Sequence, residues 1–266
     1  MRAVEHLDEQ RILDGLPVDA RARLRSLAVL GEVDSTNRYL LEGKAFAAGM
    51  HACVAESQSA GRGRRGRQWV SPAGANLYLS VLRILDAAPR SVQGMSLVFG
   101  VAVAKALESL EVSGVTLKWP NDVLLDGDKL GGILVEIAAV GAGPWRAVAG
   151  IGINVHMPGD AGAGIDQPWA DLASRVARPG RNRLASRVLA EVTAAWERFA
   201  DTGFDGFRRD WDSRDAVRDR AVELHDGSQV LEGTARGVDA DGALLLEVDG
   251  AHRRILSGDI SLRLAR

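Results

Sequence analysis

The densest chemistry in the chain lies in nine residues, Gly61-Arg62-Gly63-Arg64-Arg65-Gly66-Arg67-Gln68-Trp69. Four arginines and three glycines are closed by a tryptophan, in a chain whose formal net charge is -2. Arginine forks match phosphate and carboxylate oxygens. Glycines break helix and strand and let backbone N–H groups approach a ligand. Without an anion the guanidinium groups repel one another, so the stretch is expected to be mobile when empty and ordered around an anionic ligand. A solvated basic loop, or an arginine–glycine tether for nucleic acid, has the same composition. A second group is Asp34-Ser35-Thr36-Asn37. Plain helix capping needs one of these side chains; several in a row at a strand-to-helix junction also form a cradle for a polar ligand head. In the stretch Ala147–Val155, Gly150 and Gly152 allow close approach by a ligand or another backbone.

The elements that must position these groups follow from periodicity. Residues 1–30 read as one or two short charged helices, the second starting at Pro17 and Asp19, and Gly31–Val33 as a strand end. His51–Glu56 reads as a buried strand and Asn76–Ile84 as an alternating one. Val92–Leu110 is apolar on most sides, as in a buried helix. Val115–Trp119 is a strand broken by Pro120-Asn121-Asp122. Val123–Leu125 and Leu130–Ala138 flank an Asp126-Gly127 hairpin turn, and Ala147–Val155 is a further strand. Residues 157–180, rich in Gly, Pro and Ala, read as a long loop. Arg183–Ala200 is an amphipathic helix with Leu184, Val188, Val192 and Trp196 at core spacing, and a short helix follows at Phe207–Trp211. From Ala221 five short strands separated by Asp-Gly and Ser-Gly turns imply a small all-β barrel.

Composition narrows the function classes. With 266 residues and 46% hydrophobic content, one large and one small domain are expected. The near-neutral charge counts against a dedicated nucleic-acid binder. The single cysteine, Cys53 in the apolar run Ala52–Ala55, excludes an internal disulfide and a multi-cysteine zinc site, and fits a reducing cytoplasm. Arg2, Glu5, Asp8 and Glu9 are not the start of a signal peptide, and the longest apolar run, Leu97–Leu107, is interrupted by Lys105 and too short for a bilayer. The histidines show no metal-ligand spacing. Trp119 and Trp145 read as packing residues, and Lys118, between Leu117 and Trp119, also fits a solvated strand position.

Taken together these stretches resemble biotin protein ligases. Gly61–Trp69 resembles the family's GRGRRGRxW loop, Lys118–Asp122 its KWPND motif, Lys129–Glu136 its KxxGILVE strand, and Gly150–Val155 its GxGxN strand. Asp34–Asn37 matches the serine–threonine–asparagine segment, and Gln58 the glutamine ahead of the arginine loop. The matches run in family order over residues 31–155, and the terminal barrel extends the likeness to the end. The resemblance implies an α+β fold: a mixed-sheet catalytic domain with flanking helices over 1–217, then a small SH3-like β-barrel over 218–266. It implies formation of biotinyl-5′-adenylate from biotin and ATP, with Mg²⁺, and transfer of biotin to a lysine of a biotin carboxyl carrier protein. About 30 residues precede the first motif, fewer than a winged helix needs, so a monofunctional ligase is expected: no specific DNA, no membrane, cytoplasmic, monomer or weak homodimer.

By the same resemblance Ser35, Thr36, Asn37 and Gln58 would hold the ureido ring of biotin, with Gly132, Gly150 and Gly152 as close walls. Arg62, Gly63, Arg64 and Lys129 would complete the biotin site at its carboxylate. Arg62, Arg64, Arg65, Arg67, Trp69, Lys118, Asn121, Lys129 and Asn154 would contact ATP or the adenylate. Lys129, Arg64 and Asp122 would be catalytic, Lys129 bridging carboxylate and α-phosphate. Asp122 would either bind Mg²⁺ or take the proton of the incoming amine. Two alternatives remain at this point: a lipoate or octanoate ligase or transferase of related fold, whose glycine-rich and histidine-containing motifs are not found here, and a non-enzymatic nucleic-acid binder acting through Arg62–Arg67.

Overall fold

Strands that are apolar on both faces need cover on both faces. The computed structural model, which describes residues 5–43, 46–85, 94–139, 144–159, 161–162, 164–165, 167–176, 180–226, 229–256 and 260–264, provides it. Strands β1 (Leu24–Val33), β2 (Met50–Gln58), β3 (Leu77–Leu85), β4 (Val115–Lys118), β5 (Asp122–Leu125), β6 (Asp128–Ala139) and β7 (Trp145–Ile153) form one mixed sheet, in the order β1-β2-β3-β7-β6-β5-β4. β1 and β2 run parallel, with α3 (Thr36–Glu42) between them in the chain; the other neighbours are antiparallel. On one face α4 (Met95–Glu108) and α5 (Arg181–Thr202) cover Val54, Leu79, Val81, Ala149 and Ile151, with Phe99 against Trp196 at 4.8 Å between ring centroids. On the other face Leu40 of α3 covers Cys53, Leu82 and Val148. Burial pushes the Cys53 thiol up to about 12, as befits an inert core residue.

Side chains alternate along a strand, so the α3 face also carries Ser80 of β3, Gly150 and Gly152 of β7, and Gly132 and Glu136 of β6; Ser80 lies opposite Gly150, and Gly132 opposite Gly152. Two expectations shift. β1 begins at Leu24, well before Gly31, because an edge strand mixes exposed and half-buried positions and gives no clean alternation. β3 does not alternate in exposure: Leu77 to Leu82 are all buried, since both of its faces are covered. The expected helix start at Val92 falls outside the described residues, and the helix is observed from Met95.

The chain's first described segment is fastened to α5. Helices α1 (Glu9–Asp14) and α2 (Val18–Arg23) pack on it. Arg181, 3% exposed, pairs with Glu56 of β2 at 2.7 Å and donates to the Glu5 carbonyl at 3.1 Å, while the Leu7 N–H donates to Glu56 at 2.7 Å. At the other end, α6 (Arg208–Asp212) leads to residues 214–216, which lie along the outer side of β4 through Leu117 N–H to Arg214 O and Ala216 N–H to Leu117 O, both 2.8 Å. The five late strands expected from the turns are present as β8 (Ala221–Asp226), β9 (Gln229–Val238), β10 (Leu244–Val248), β11 (Ala251–Ile255) and β12 (Ile260–Leu264), an antiparallel sheet in the order β11-β10-β9-β8-β12. Its β9–β10 turn meets the large sheet closely. The buried Trp119 indole N–H donates to Gly242 O at 3.2 Å, and a Cβ on Gly242 would lie 2.7 Å from Gly94 Cα at the start of α4.

Burial alone would push the Glu56 carboxyl up; the Leu7 N–H and the Arg181 guanidinium outweigh it and hold it below its ordinary value. A depressed carboxylate contributes stability that is complete above its unfolded-state value of 4.5 and is lost as the pH falls through the lower folded value. Arg181→Met leaves this partly buried carboxylate without its guanidinium partner and should cost about 1–3 kcal/mol at neutral pH. Urea unfolding should show that loss, and the gap to the unsubstituted protein should narrow as the pH is taken below 4.5.

Candidate active site

Ser35 occupies the N-cap of α3, yet no side-chain cap hydrogen bond forms there. The buried polar side chains that follow turn to a different task. Gln58 Oε1 accepts from both the Thr36 N–H at 2.9 Å and the Thr36 hydroxyl at 3.2 Å. Ser80, fully buried, holds its hydroxyl 2.7 Å from Thr36 Oγ1 and 2.6 Å from Asn37 Oδ1. Asn37 Nδ2 donates to the Leu134 carbonyl at 3.1 Å and to Glu136 Oε2 at 2.8 Å, so its amide oxygen faces Ser80. A side chain at Gly150 would collide with the Asn37 amide, which is what glycine permits at that position. The result is a small polar cradle of donors and acceptors on the α3 face.

Beside it lies a cationic cluster. Asp122 accepts Lys129 Nζ at 2.7 Å on one oxygen and Lys118 Nζ at 3.2 Å on the other. All three side chains are largely buried, at 11% exposure for Asp122, 17% for Lys129 and 21% for Lys118. Lys118 is thus an ion-pair partner and not a solvated strand position. Burial would push the Asp122 carboxyl up; the ammonium of Lys129, then that of Lys118, outweigh it and hold the carboxyl below its ordinary value. That is a poor base at neutral pH, and a dication at Asp122 would sit against two ammonium groups. Among the described residues no three His, Cys, Asp or Glu side chains gather as a metal site.

The arginine loop is a narrow hairpin. Gly63 N–H donates to Arg67 O at 2.7 Å and Trp69 N–H to Gly61 O at 2.9 Å, with Arg65 at φ 61° and Gly66 at φ 69° making the turn. Repulsion among the arginines, the basis of the expected mobility, is met by groups on neighbouring strands. Arg62 forms a two-pronged pair with Glu136, both contacts 3.1 Å, and Arg64 Nη1 donates to Asn121 Oδ1 at 3.4 Å. Arg65 and Arg67 are exposed. Trp69 lies back on the sheet: a Cβ on Gly152 would be 2.5 Å from its Cε2, one on Gly132 would be 3.5 Å from its Cζ3, and Lys129 Nζ is 5.9 Å from its ring centroid. The strand glycines are walls for Asn37 and Trp69, which pack directly on them. The Trp69 Nε1–H is buried and has no hydrogen-bond partner among the described residues.

Residues 168–173 form a strap over the start of β6. Lys129 N–H donates to Pro168 O at 3.2 Å and Ala170 N–H to Lys129 O at 3.0 Å. Asn154 anchors the strap, its Nδ2 donating to Ala170 O at 3.0 Å and its carbonyl accepting from Leu172 N–H at 3.1 Å. Asn121 is similarly engaged, donating to Ile133 O at 2.9 Å.

Comparison with known proteins fits this geometry. Residues 30–154 match the model of the Biotin/lipoate A/B protein ligase family, and residues 219–263 that of the Biotin protein ligase C terminal domain. The chain is 36% identical to the Biotin--[acetyl-CoA-carboxylase] ligase of Mycobacterium tuberculosis over 262 residues, 96% of this chain and 95% of that protein. The chain belongs to the biotin protein ligase family. Another relative, the Bifunctional ligase/repressor BirA of Escherichia coli, is 42% identical over 90% of this chain and 75% of its own length. Among solved structures, a biotin protein ligase from Aquifex aeolicus in complex with biotin and ATP superposes with TM-score 0.78 at 30% identity, covering 91% of this chain and all of that one.

In this biotin protein ligase the motif residues meet on one sheet face as two adjoining clusters, the cradle (Thr36, Asn37, Gln58) and the cations (Lys118, Lys129, Arg64 with Asp122), with Trp69 close to both. Arg65 and Arg67 stay at the surface. Three participants were not singled out from sequence: Ser80, a lone hydroxyl in the apolar strand LYLSVL; Glu136, the last residue of a recognised motif; and Trp169, whose backbone bridges to Lys129 from within the supposed loop. Asn154→Ala removes the strap's side-chain anchor, a bond worth about 0.5–1.5 kcal/mol, so amide exchange at Ala170 and Leu172 should quicken by roughly two- to tenfold while the β6–β7 ladder stays protected.

Proposed function

We propose that this ligase joins biotin to ATP as biotinyl-5′-adenylate and then passes biotin to a lysine of a biotin carboxyl carrier protein. The observation that carries the reading is the adjacency of a neutral polar cradle and a nearly buried cationic cluster on one sheet face. The ureido head of biotin offers both N–H and C=O groups, a match for the mixed donors and acceptors of Thr36, Asn37 and Gln58, with Ser35 next to them at the N-cap of α3. Its carboxylate and the ATP phosphates are anions for Lys129, Arg62, Arg64, Arg67 and Lys118. The unpaired Trp69 N–H supports a ligand acceptor at the junction, because an unmade buried bond costs about 1–3 kcal/mol.

In the first step a carboxylate oxygen attacks the α-phosphorus and pyrophosphate leaves. The enzyme's contribution is to hold two anions together and to stabilise charge as it grows. Lys129 suits this, a point charge on a flexible stem able to serve two acceptors. Asp122, paired to both ammonium groups, offsets the repulsion between them and holds them side by side. In the second step the acceptor amine attacks the mixed anhydride carbonyl and AMP leaves. Neither Mg²⁺ binding nor proton abstraction is assigned to Asp122, given its two ammonium partners; Mg²⁺ is expected to arrive on triphosphate oxygens. Near neutrality of charge supports a reading without a specific DNA operator, and among the described residues no helix is long and apolar enough to cross a membrane. We take the division at 217/218, a cytoplasmic location and a monomer or weak homodimer as parts of the same proposal.

ATP–pyrophosphate exchange with biotin or lipoate offered separately tests the reading: exchange with biotin is expected, and exchange with neither would end it. Lys129→Ala should lower exchange by about 10²–10³, the scale for losing one preorganised charge-stabilising donor, with the fold intact by circular dichroism. Near-normal exchange in that variant would transfer the role to Lys118.

Arg64→Gly should change the fate of the adenylate. Losing one charge-assisted bond costs roughly 1.5–3 kcal/mol, weakening retention about ten- to a hundredfold. Incubation with biotin, ATP and an unrelated lysine-rich protein should then label the bystander more than the unsubstituted enzyme does. A variant that still makes adenylate without extra labelling would remove Arg64 from that role.

A further inference from the structure

Ser80 stands between Leu79 and Val81 in β3, fully buried and opposite Gly150 of β7. Its hydroxyl touches two side chains of the cradle, Asn37 Oδ1 at 2.6 Å and Thr36 Oγ1 at 2.7 Å. A serine has one proton to give and can also accept, so its neighbours set the direction of each bond. We propose that Ser80 is a positioning residue that fixes Thr36 as a hydrogen-bond acceptor, and so makes the cradle select a ligand head whose ring carries an N–H over one of the same shape with a ring oxygen there.

The direction begins at a group that cannot reverse. The Leu134 carbonyl only accepts, so the Asn37 amide turns its nitrogen there, at 3.1 Å, and gives its other proton to Glu136 Oε2 at 2.8 Å. The Asn37 oxygen is left facing Ser80 and has no proton to offer. Ser80 therefore donates to Asn37, and its single proton is spent. The contact with Thr36 is then made by the Thr36 hydroxyl donating to Ser80 Oγ. The other acceptor near that hydroxyl, Gln58 Oε1, lies at 3.2 Å, beyond the usual O–H···O range of about 2.5–3.0 Å, and already receives the Thr36 N–H at 2.9 Å. With its proton held on Ser80, Thr36 Oγ1 has lone pairs and nothing to donate. A ureido N–H satisfies that oxygen. A ring oxygen in its place sets lone pairs against lone pairs. A site built to hydrogen-bond a substrate group discriminates against an analogue lacking it far more than a hydrophobic pocket discriminates by size.

Because this relay acts on the ligand of the ligase reading, biotin-dependent ATP–pyrophosphate exchange by the unsubstituted full chain is established first; its absence would overturn both. The probes are then biotin and its two cyclic-carbamate analogues, each with one ureido N–H replaced by a ring oxygen. For the unsubstituted enzyme the KM of at least one analogue should exceed that of biotin about ten- to a hundredfold, the scale of one buried acceptor left unpaired. Ser80→Ala frees the Thr36 proton to meet a ring oxygen. The KM for biotin should rise about three- to tenfold while that for the rejected analogue falls or stays, so their ratio should narrow by about threefold or more. A cradle that was merely loosened would raise both KM values together and keep the ratio. Ser80→Cys, close to serine in shape but with a weakly donating and accepting thiol, should narrow the ratio in the same direction, and it decides if the alanine variant fails to fold. Similar KM values for biotin and both analogues in the unsubstituted enzyme would overturn the relay and leave the ligase reading in place, as would an undiminished ratio in either folded variant.

Discussion

Like charges gathered around a half-dry site must each find compensation before any ligand arrives. The arrangement of this protein follows from that constraint. Lys118 and Lys129 share Asp122, Arg62 has Glu136, and Arg64 has the Asn121 amide oxygen. These partners come from β5, β6 and the turn after β4, which the strand order brings side by side at the sheet edge. Lys118 and Lys129 divide one carboxylate and Arg64 meets a neutral amide oxygen, while Arg62 holds Glu136 with two prongs. Charge held in this way is stable enough to fold and still available to an incoming anion.

The second requirement is a floor on which large groups can lie flat. Residues 132, 150 and 152 fall on one face by the two-residue period of β6 and β7, and all three are glycine. Asn37 rests on Gly150 and Trp69 on Gly152 and Gly132. Any Cβ there would lift the cradle or the indole from the sheet. Cover by α3 at one end of this face and by the arginine hairpin at the other leaves the polar side chains of β3 and β6 enclosed between them.

Much of the fold was legible because its signals are local: the Asp126-Gly127 turn, the alternation of Val115 to Leu117, the core stripe of α5, the regular turns after Ala221. β1 was largely illegible, since an edge strand with one bonded side carries no strong pattern. In the site, motif membership pointed to the right neighbourhood, but partners did not follow from it. Ser80 reaches residues 43 and 44 positions away and Glu136 reaches one 99 positions away, and no local pattern encodes such pairs. Asn154 and Asn121 illustrate the converse. An amide in a motif looks like a ligand group, and here the donors of both are engaged by backbone carbonyls.

The meeting of the β9–β10 turn with the large sheet bears on how the molecule comes apart. Trp119 sits one residue after Lys118, and its indole N–H has its acceptor on Gly242, in the other sheet. Gly94 and Gly242, both in the left-handed region at φ 78° and 87°, lie in direct contact, so nothing larger fits between α4 and the turn. Residues 214–216 add two further backbone bonds to β4. Pulling the small sheet away would strand a buried donor, open the end of a core helix and strip the strand that holds Lys118. Two sheets with separate topologies are therefore fastened to each other by a buried indole bond, a glycine–glycine contact and two backbone bonds, with no slack between them for a hinge.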